Sequence, residues 1–203
     1  MPLASSATTP RRRLTRDQRI EQLLDVAEQV FADLGYDGAS IEQIASAAGI
    51  TRPIIYEHFG SKDGIYLACV RRARQHLEAA LFDAVAGADD LGERLRRGID
   101  ACMAFIEQDP HRWAVLFSGV AVSGPIAAEV LQMRFATVNI IADLLHAASP
   151  KLPRQEVEAY AHALSGSGEQ LERWWRQNPH VSREKIVSYF HRFAWNGLSD
   201  LIA

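Results

Sequence analysis

Residues 40–67 read SIEQIASAAGITRPIIYEHFGSKDGIYL, and this stretch decides the fold that we expect for the chain. It holds two helix-favouring segments of about eight residues, joined by a turn of about three residues that contains Gly49. Ser40 followed by Gln43 has the spacing of a capping box, which predicts that a helix starts here. Two short helices joined in this way are typical of a helix-turn-helix.

The small and apolar residues of this stretch suit the close crossing of two helices. Ala45 and Ala48 leave room for a second helix, and Ile50 can fill the space beneath the turn. A recognition helix presents the residues at its start to base edges in the major groove of DNA. The outward residues here are expected to be Thr51, Arg52, Pro53, Tyr56 and His58.

Helical patterns continue on both sides of this stretch. Before it, an apolar stripe from Ile20 to Leu34 predicts a helix that ends at Gly35. After the first motif helix, we expect helices over about 51–59, 62–86, 90–108, 111–119, 124–147, 154–177 and 182–201. No alternating run of β-branched residues is present. The predicted fold class is therefore all-α, with about nine helices.

Composition excludes several classes of protein. The 203 residues are 48% hydrophobic and 23% charged, as in an ordinary globular protein. The two cysteines and seven histidines show no metal-ligand spacing, and no serine-hydrolase or phosphate-loop motif occurs. We therefore expect no metal or cofactor, and an all-α enzyme is an unfavoured alternative. No signal peptide or membrane span is visible, which predicts a cytoplasmic protein.

Charge is distributed unevenly along the chain. Residues 1–19 carry a net charge of +4, whereas residues 20–64 carry −6. Residues 1–13 are predicted to be a flexible basic arm that includes Arg11, Arg12 and Arg13. From charge alone, this arm is either a solvated tail or a contact to a polyanion.

The stretch from about residue 14 to about residue 70 resembles the TetR family of bacterial transcriptional regulators. The residues that match the family signature are Ser40, Ile44, Ala45, Ala48, Gly49, Ile50, Tyr56, His58, Phe59, Ser61, Lys62 and Asp63. Two places depart from it: Pro53 stands where many members have a small residue, and Gly64-Ile65 replace an acidic or polar residue and Leu. The resemblance implies a DNA-binding domain over 14–60 and a ligand-binding and dimerisation domain over 61–203.

The resemblance also implies roles for single residues. Ser40 and Thr51 would offer hydroxyls and helix N-termini to phosphates, and Arg52 would contact guanine beside Pro53. Tyr56, His58 and Lys62 would bind backbone phosphate, and the arm arginines would enter a minor groove or follow the backbone. Alternatively, Tyr56 is a half-buried packing ring and His58 a satisfied histidine beside Phe59. Glu42 and Glu57 either point away from this surface or hold Arg52 or an arm arginine.

By the same resemblance, the last two long helices would pair with those of a second copy. The mid-helix Gly166 and Gly168 and the aromatic residues of the final helix agree with such an interface, although a monomer core is the alternative. An effector pocket would lie among the preceding helices. Its candidate residues are Phe105, Trp113, Phe117, Met133, Asn139, Glu169 and Trp174, from a wider set that also holds His76, Cys102 and Met103.

Together these observations predict a ligand-responsive, DNA-binding homodimer. It would act as a repressor on a palindromic operator and be released by a small lipophilic or aromatic effector, with no membrane contact. The alternative is a ligand-binding module that no longer binds DNA. The identity of the operator, the effector and the regulated genes stays open.

Overall fold

A computed structural model of the chain describes residues 15–88, 90–117, 124, 126–148 and 150–198. Within these residues every regular element is a helix, as predicted. The helices are α1 (Arg16–Gly38), α2 (Ile41–Ala48), α3 (Arg52–Phe59), α4 (Lys62–Val85), α5 (Leu91–Gln108), α6 (Pro110–Phe117), α7 (Ala127–Ala148), α8 (Arg154–Gln177) and α9 (Arg183–Leu198). None of the described helices is long and apolar enough to cross a membrane.

Helix α1 has a start that the sequence did not predict and a break at the predicted place. Thr15 and Gln18 form a capping box at its start, which the sequence reading missed. At Gly35 the backbone leaves helical geometry, with φ 70° and ψ 171°, which confirms that the first continuous helical segment ends there. A short helical segment follows this kink, and the range given for α1 includes it up to Gly38.

One later helix starts after its predicted position, and the predicted ends of two others cannot be compared within the described residues. The expected helix over 124–147 begins only at Ala127, because Gly124 has φ 83°, which a right-handed helix excludes. The expected helices over 111–119 and 182–201 are described to Phe117 and Leu198, and their predicted ends lie outside the described residues.

One hydrophobic core joins the N-terminal helices to most of the rest. Leu23 of α1, Ile44 of α2 and Ile55 of α3 are fully buried in it, and so are Met103 of α5 and Ile186 of α9. A smaller core between α7 and α8 contains Val138, Ala142, Val157 and Ala161. Because α4 contributes to the large core along most of its length, it connects the helix-turn-helix to the C-terminal helices.

A buried ionic cluster fastens α1 to α4 and α6. The side chain of Arg72 donates to Glu28 at 2.9 Å, to Glu21 at 2.7 Å and to Asp25 at 2.8 Å. Arg112 of α6 donates from Nε to the other oxygen of Glu28 at 3.1 Å. Burial alone would lower the pKa of Arg72, but hydrogen bonds to Glu28 and Glu21 raise it above its ordinary value. We refer to these five residues as the Arg72 cluster.

The junction between α3 and α4 requires a glycine. Ser61 caps α4 by accepting a hydrogen bond from the Gly64 amide at 3.0 Å. A Cβ atom on Gly64 would lie 1.9 Å from the carbonyl oxygen of Phe59, which is far inside van der Waals contact. The departure from the family pattern at Gly64 therefore follows from the tightness of this turn.

Replacing Gly64 with Ala should therefore destabilise the protein. The new methyl group must push α4 away from the end of α3, and overpacking of this kind costs about 1–3 kcal/mol. Urea unfolding followed by circular dichroism measures the loss. Gly38→Ala is the matched control, because its Cβ would meet Leu34 at an ordinary 3.7 Å. Equal stability of the two variants would contradict the assigned role of Gly64.

Candidate nucleic-acid interface and effector cavity

The helix-turn-helix has the predicted capping and turn. Ser40 Oγ accepts from the Gln43 amide at 3.2 Å, and Gln43 Oε1 accepts from the Ser40 amide at 2.8 Å. Gly49 takes left-handed backbone angles, φ 63° and ψ 37°, and the Ile50 amide donates to the Ala45 carbonyl at 3.0 Å. This turn sets α3 across α2, with Ile55 of α3 fully buried between them and the core.

Thr51 is the N-cap of α3, but its side chain makes no capping bond. A capping hydroxyl accepts from the second or third helical amide. The second position is Pro53, which has no N–H, and the Ile54 amide donates to the Thr51 carbonyl at 3.1 Å instead. The Thr51 hydroxyl is exposed and is not used by the cap.

The outer face of α3 is exposed as predicted. Arg52 and Pro53 are exposed, and Tyr56 keeps 49% of its surface accessible, which agrees both with a surface contact and with a half-buried packing ring. Arg52 forms an ion pair with Glu42 of α2, and both side chains are mostly exposed. The question that the sequence left open about Glu42 is thereby answered. An exposed pair of this kind contributes little stability, so Arg52 can exchange partners readily.

His58 lies partly inward, unlike the other residues of the predicted surface. Its ring centre is 6.2 Å from that of Phe59, and its Nδ1 is buried without a hydrogen-bond partner among the described residues. Only Nε2 is therefore available for an outside contact. Because Nδ1 is unpartnered among the described residues, the interpretation of His58 as a satisfied histidine is wrong for this nitrogen, and the phosphate contact stays a prediction.

Lys62 is oriented by the end of α1. Its Nζ lies 4.4 Å from the centre of the Tyr36 ring and 3.5 Å from the Asp37 carbonyl oxygen. Tyr36 donates to the carboxylate of Asp63, and burial together with this bond raises the pKa of Tyr36 to about 12. The negative face of the Tyr36 ring attracts the ammonium group of Lys62 above it. Sequence reasoning missed Tyr36, because it lies outside the motif.

Several of the predicted DNA-contacting residues lie at three successive helix starts, whereas Tyr56 and His58 lie in the second half of α3. Ser40 caps α2, Thr51 occupies the N-cap position of α3 and Lys62 begins α4, and these helices contact one another in that order. Helix N-termini favour anions. Arg11, Arg12 and Arg13 lie outside the described residues.

A largely apolar cavity of about 120 Å³ lies among α4 to α9. Its described walls are formed by Leu77, Leu81 and Val85 of α4, Leu91, Arg94, Leu95, Gly98, Ile99 and Cys102 of α5, Trp113 and Phe117 of α6, Thr137, Ile141, Leu144 and Leu145 of α7, Leu164, Ser165 and Gly168 of α8, and Phe190 of α9. The cavity therefore shares α4 with the helix-turn-helix.

Two of the seven predicted pocket residues, Trp113 and Phe117, line this cavity. The other five do not. Phe105 is buried in the main core and Met133 packs at its edge, while Asn139 and Trp174 are exposed on the outer faces of α7 and α8. Glu169 instead forms an ion pair with Arg134.

The missed residues, such as Leu95 and Ile141, belong to ordinary apolar stripes. Such stripes look the same whether they face a core or a cavity. Of the two mid-helix glycines, Gly168 lines the cavity, where an added Cβ would lie 3.4 Å from the Phe190 ring. Gly166 has nothing within 4 Å.

Comparisons with known proteins cover both halves of the chain. Residues 23–69 match the family model described as bacterial regulatory proteins, tetR family. Residues 91–197 match the model described as tetracyclin repressor-like, C-terminal domain.

Relatives and solved structures agree with these matches. The transcriptional activator FasR of Mycolicibacterium smegmatis is 33% identical over 191 residues, which cover 93% of this chain and 87% of FasR. The transcriptional repressor Rv1474c of Mycobacterium tuberculosis is 36% identical over 61 residues, or 30% of this chain and 33% of that protein. A TetR-like regulator from Rhodococcus sp. RHA1 superposes with a TM-score of 0.78 at 27% identity, covering 92% of this chain and 99% of the other.

These relatives are transcriptional regulators and not enzymes. In the part of the chain that the structure describes, no group of three or more His, Cys, Asp or Glu side chains could hold a metal ion. The paired family matches and the helix-turn-helix geometry lead to one conclusion: the chain belongs to the TetR family of DNA-binding transcriptional regulators.

Proposed function

We propose that the protein binds a palindromic operator as a homodimer and is released from it when a lipophilic effector fills the cavity among α4 to α9. The observation that carries this proposal is the shared helix α4. Lys62 lies at its start beside α3, and Val85 lies at its end in the cavity wall. The two residues are about 35 Å apart along the helix. A ligand that tilts α4 at one end therefore moves the DNA-binding surface at the other.

On the DNA side, the proposed contacts follow from position and chemistry. The start of α2 at Ser40 and the start of α3 at Thr51 would each receive a phosphate. Arg52 would leave Glu42 and bind guanine, because a guanidinium matches the two acceptors of that base edge. Pro53 beside it has no side-chain hydrogen-bonding group, so it would contact the base edges through van der Waals packing alone.

Backbone phosphates would be bound by the remaining residues of the surface. The Tyr56 hydroxyl, Nε2 of His58 and the ammonium group of Lys62 would each donate to phosphate oxygens. The basic arm with Arg11, Arg12 and Arg13 would add sequence-independent attraction.

Homodimerisation through α8 and α9 would bring two copies of the DNA-contacting surface into one assembly. Trp174 of α8 is 43% exposed, and Tyr189 and Phe193 of α9 are 45% and 66% exposed. Large exposed apolar side chains on adjacent helices are typical of a protein interface. Gly166, with open space above its backbone, allows a partner helix to approach closely. Two recognition helices related by a two-fold axis would then read two half-sites.

Repression is the proposed outcome of DNA binding. Whether release from DNA raises or lowers transcription depends on where the operator lies relative to the promoter. Rv1474c, named a repressor, matches only 30% of this chain, whereas FasR, named an activator, matches 93%. Effector-driven release from DNA is the same physical step in both cases. If the operator overlaps a promoter, release of the protein increases transcription. If the operator lies upstream of the promoter, release can decrease transcription.

Purified protein incubated with fragmented genomic DNA should enrich a palindrome whose half-sites are about one helical turn apart. Sequencing of the bound fragments identifies the palindrome, and its distance from promoters gives the sign of regulation. The protein should first be unfolded and refolded to empty the cavity. If no sequence is enriched after this step at moderate salt, the DNA-binding proposal is wrong.

Lys62→Ala should weaken binding to all DNA sequences to a similar degree. Loss of one phosphate contact lowers the slope of log affinity against log salt by about 1. Fluorescence anisotropy across a salt series measures both quantities on the enriched fragment and on a scrambled one.

Two controls accompany this measurement. Lys62→Arg keeps the cation and should retain most of the affinity, and Lys151→Ala removes a lysine exposed in the turn between α7 and α8. An unchanged slope in Lys62→Ala would show that Lys62 does not bind phosphate.

A further inference from the structure

We infer that the effector is an amphipathic acid, whose carboxylate binds Arg94 while its apolar chain fills the cavity. This inference rests on the proposed function and specifies its ligand. Among the described residues that line the cavity, Arg94 is the only charged one. The other polar groups there are Thr137, Ser165 and the thiol of Cys102.

Arg94 is anchored, but no described carboxylate pairs with it. Its Nε donates to the Ala88 carbonyl oxygen at 2.9 Å, which fixes the plane of the guanidinium. Its two terminal nitrogens make no hydrogen bond to any described residue. The neighbouring arginines of α5 differ: Arg96 and Arg97 both donate to Glu93, at 2.8 and 2.7 Å.

The acidic residues described beside Arg94 in sequence have other partners. Hydrogen bonds from Arg96 and Arg97 lower the pKa of Glu93 to about 2, so this carboxylate stays ionised between the two arginines. Asp90 caps α5 by accepting from the Glu93 amide at 2.9 Å. Among the described residues of the cavity wall, Arg94 is thus the one charged side chain, and its terminal nitrogens are donors that no described residue occupies.

Arg94 is only partly buried, so a ligand that enters the cavity displaces water from the guanidinium and must offer an anion in its place. Because Nε is occupied, a ligand can use only the terminal nitrogens of Arg94. A carboxylate matches two parallel N–H donors, which gives the strongest common form of this interaction. A neutral lipophile of equal length would leave these donors unpaired.

The residues of the cavity wall indicate how the acid is oriented and how long its chain is. Cys102 lies eight residues after Arg94 on α5, or about 12 Å along the helix. Removal from solvent and the nearby carboxylate of Glu169 raise the pKa of Cys102 to about 12. The described wall residues around it, such as Leu164 and Phe190, are apolar and suit a hydrocarbon chain. At roughly 10–15 Å³ for each water-sized group, the volume of about 120 Å³ holds about eight to twelve such groups. Octanoate, with ten non-hydrogen atoms, is a probe of this size.

The test compares octanoate with 1-octanol, which has the same chain length and no charge. Isothermal titration of the full chain at pH 7.5 should give octanoate an affinity about tenfold higher or more, because charge-assisted hydrogen bonds contribute that much. Arg94→Gln should remove this preference and leave octanol binding within about threefold. Arg96→Gln, on the same helix but paired with Glu93, should keep the preference.

A further variant distinguishes a failure of the inference about Arg94 from a failure of the proposed function. Gly98→Leu fills the cavity, because Gly98 lines it and its Cβ would meet Val85 at an ordinary 3.9 Å. This variant should therefore weaken both probes. Equal binding of octanoate and octanol by the unmodified protein, with both weakened by Gly98→Leu, would leave the cavity as a ligand site and overturn the role of Arg94. Binding of neither probe would contradict the lipophilic-effector proposal itself, and the inference with it.

Discussion

The ion pairs of the Arg72 cluster determine how the DNA-binding helices sit on the rest of the molecule. Arg72 of α4 and Glu28 of α1 are both buried, with 7% and 4% of their side chains exposed. Removing one member of such a pair leaves an uncompensated charge in the interior, at a cost of about 3–5 kcal/mol. Arg112 of α6 binds the same Glu28 and immediately precedes Trp113, a wall of the cavity. Helices α1, α4 and α6 are thus held together beside the cavity.

This arrangement gives the proposed regulation a physical route. A ligand against Trp113 and Phe117 acts on α6, and a ligand against Leu81 and Val85 acts on α4. Because the Arg72 cluster resists separation of these helices from α1, a change in the angle of α4 or α6 is passed to the helix-turn-helix as a whole. By linkage, a ligand that weakens DNA binding must itself bind more weakly to the DNA complex.

Sequence reasoning succeeded where the determining contacts are local. The capping box at Ser40, the left-handed turn at Gly49 and the exposed start of α3 depend on residues within about ten positions of one another, so a contiguous motif specifies them. The cavity is built from six helices, and its walls follow from how those helices rotate when they pack. All four of Trp113, Phe117, Asn139 and Trp174 were predicted by composition, yet Trp113 and Phe117 line the cavity and Asn139 and Trp174 are exposed. The contact of Arg72 with Glu28 spans 44 positions, and nothing local distinguishes these charges from solvated ones.

The central claim is that ligand in the cavity and DNA on the helix-turn-helix oppose each other through α4. The most direct test is to titrate octanoate into the free protein and into the protein saturated with its enriched DNA fragment. The account predicts weaker octanoate binding to the DNA complex, by about 5–150-fold, the usual range of such coupling. By the same linkage, octanoate should lower the affinity of the protein for DNA by the same factor. Equal octanoate affinity in the two states would contradict it.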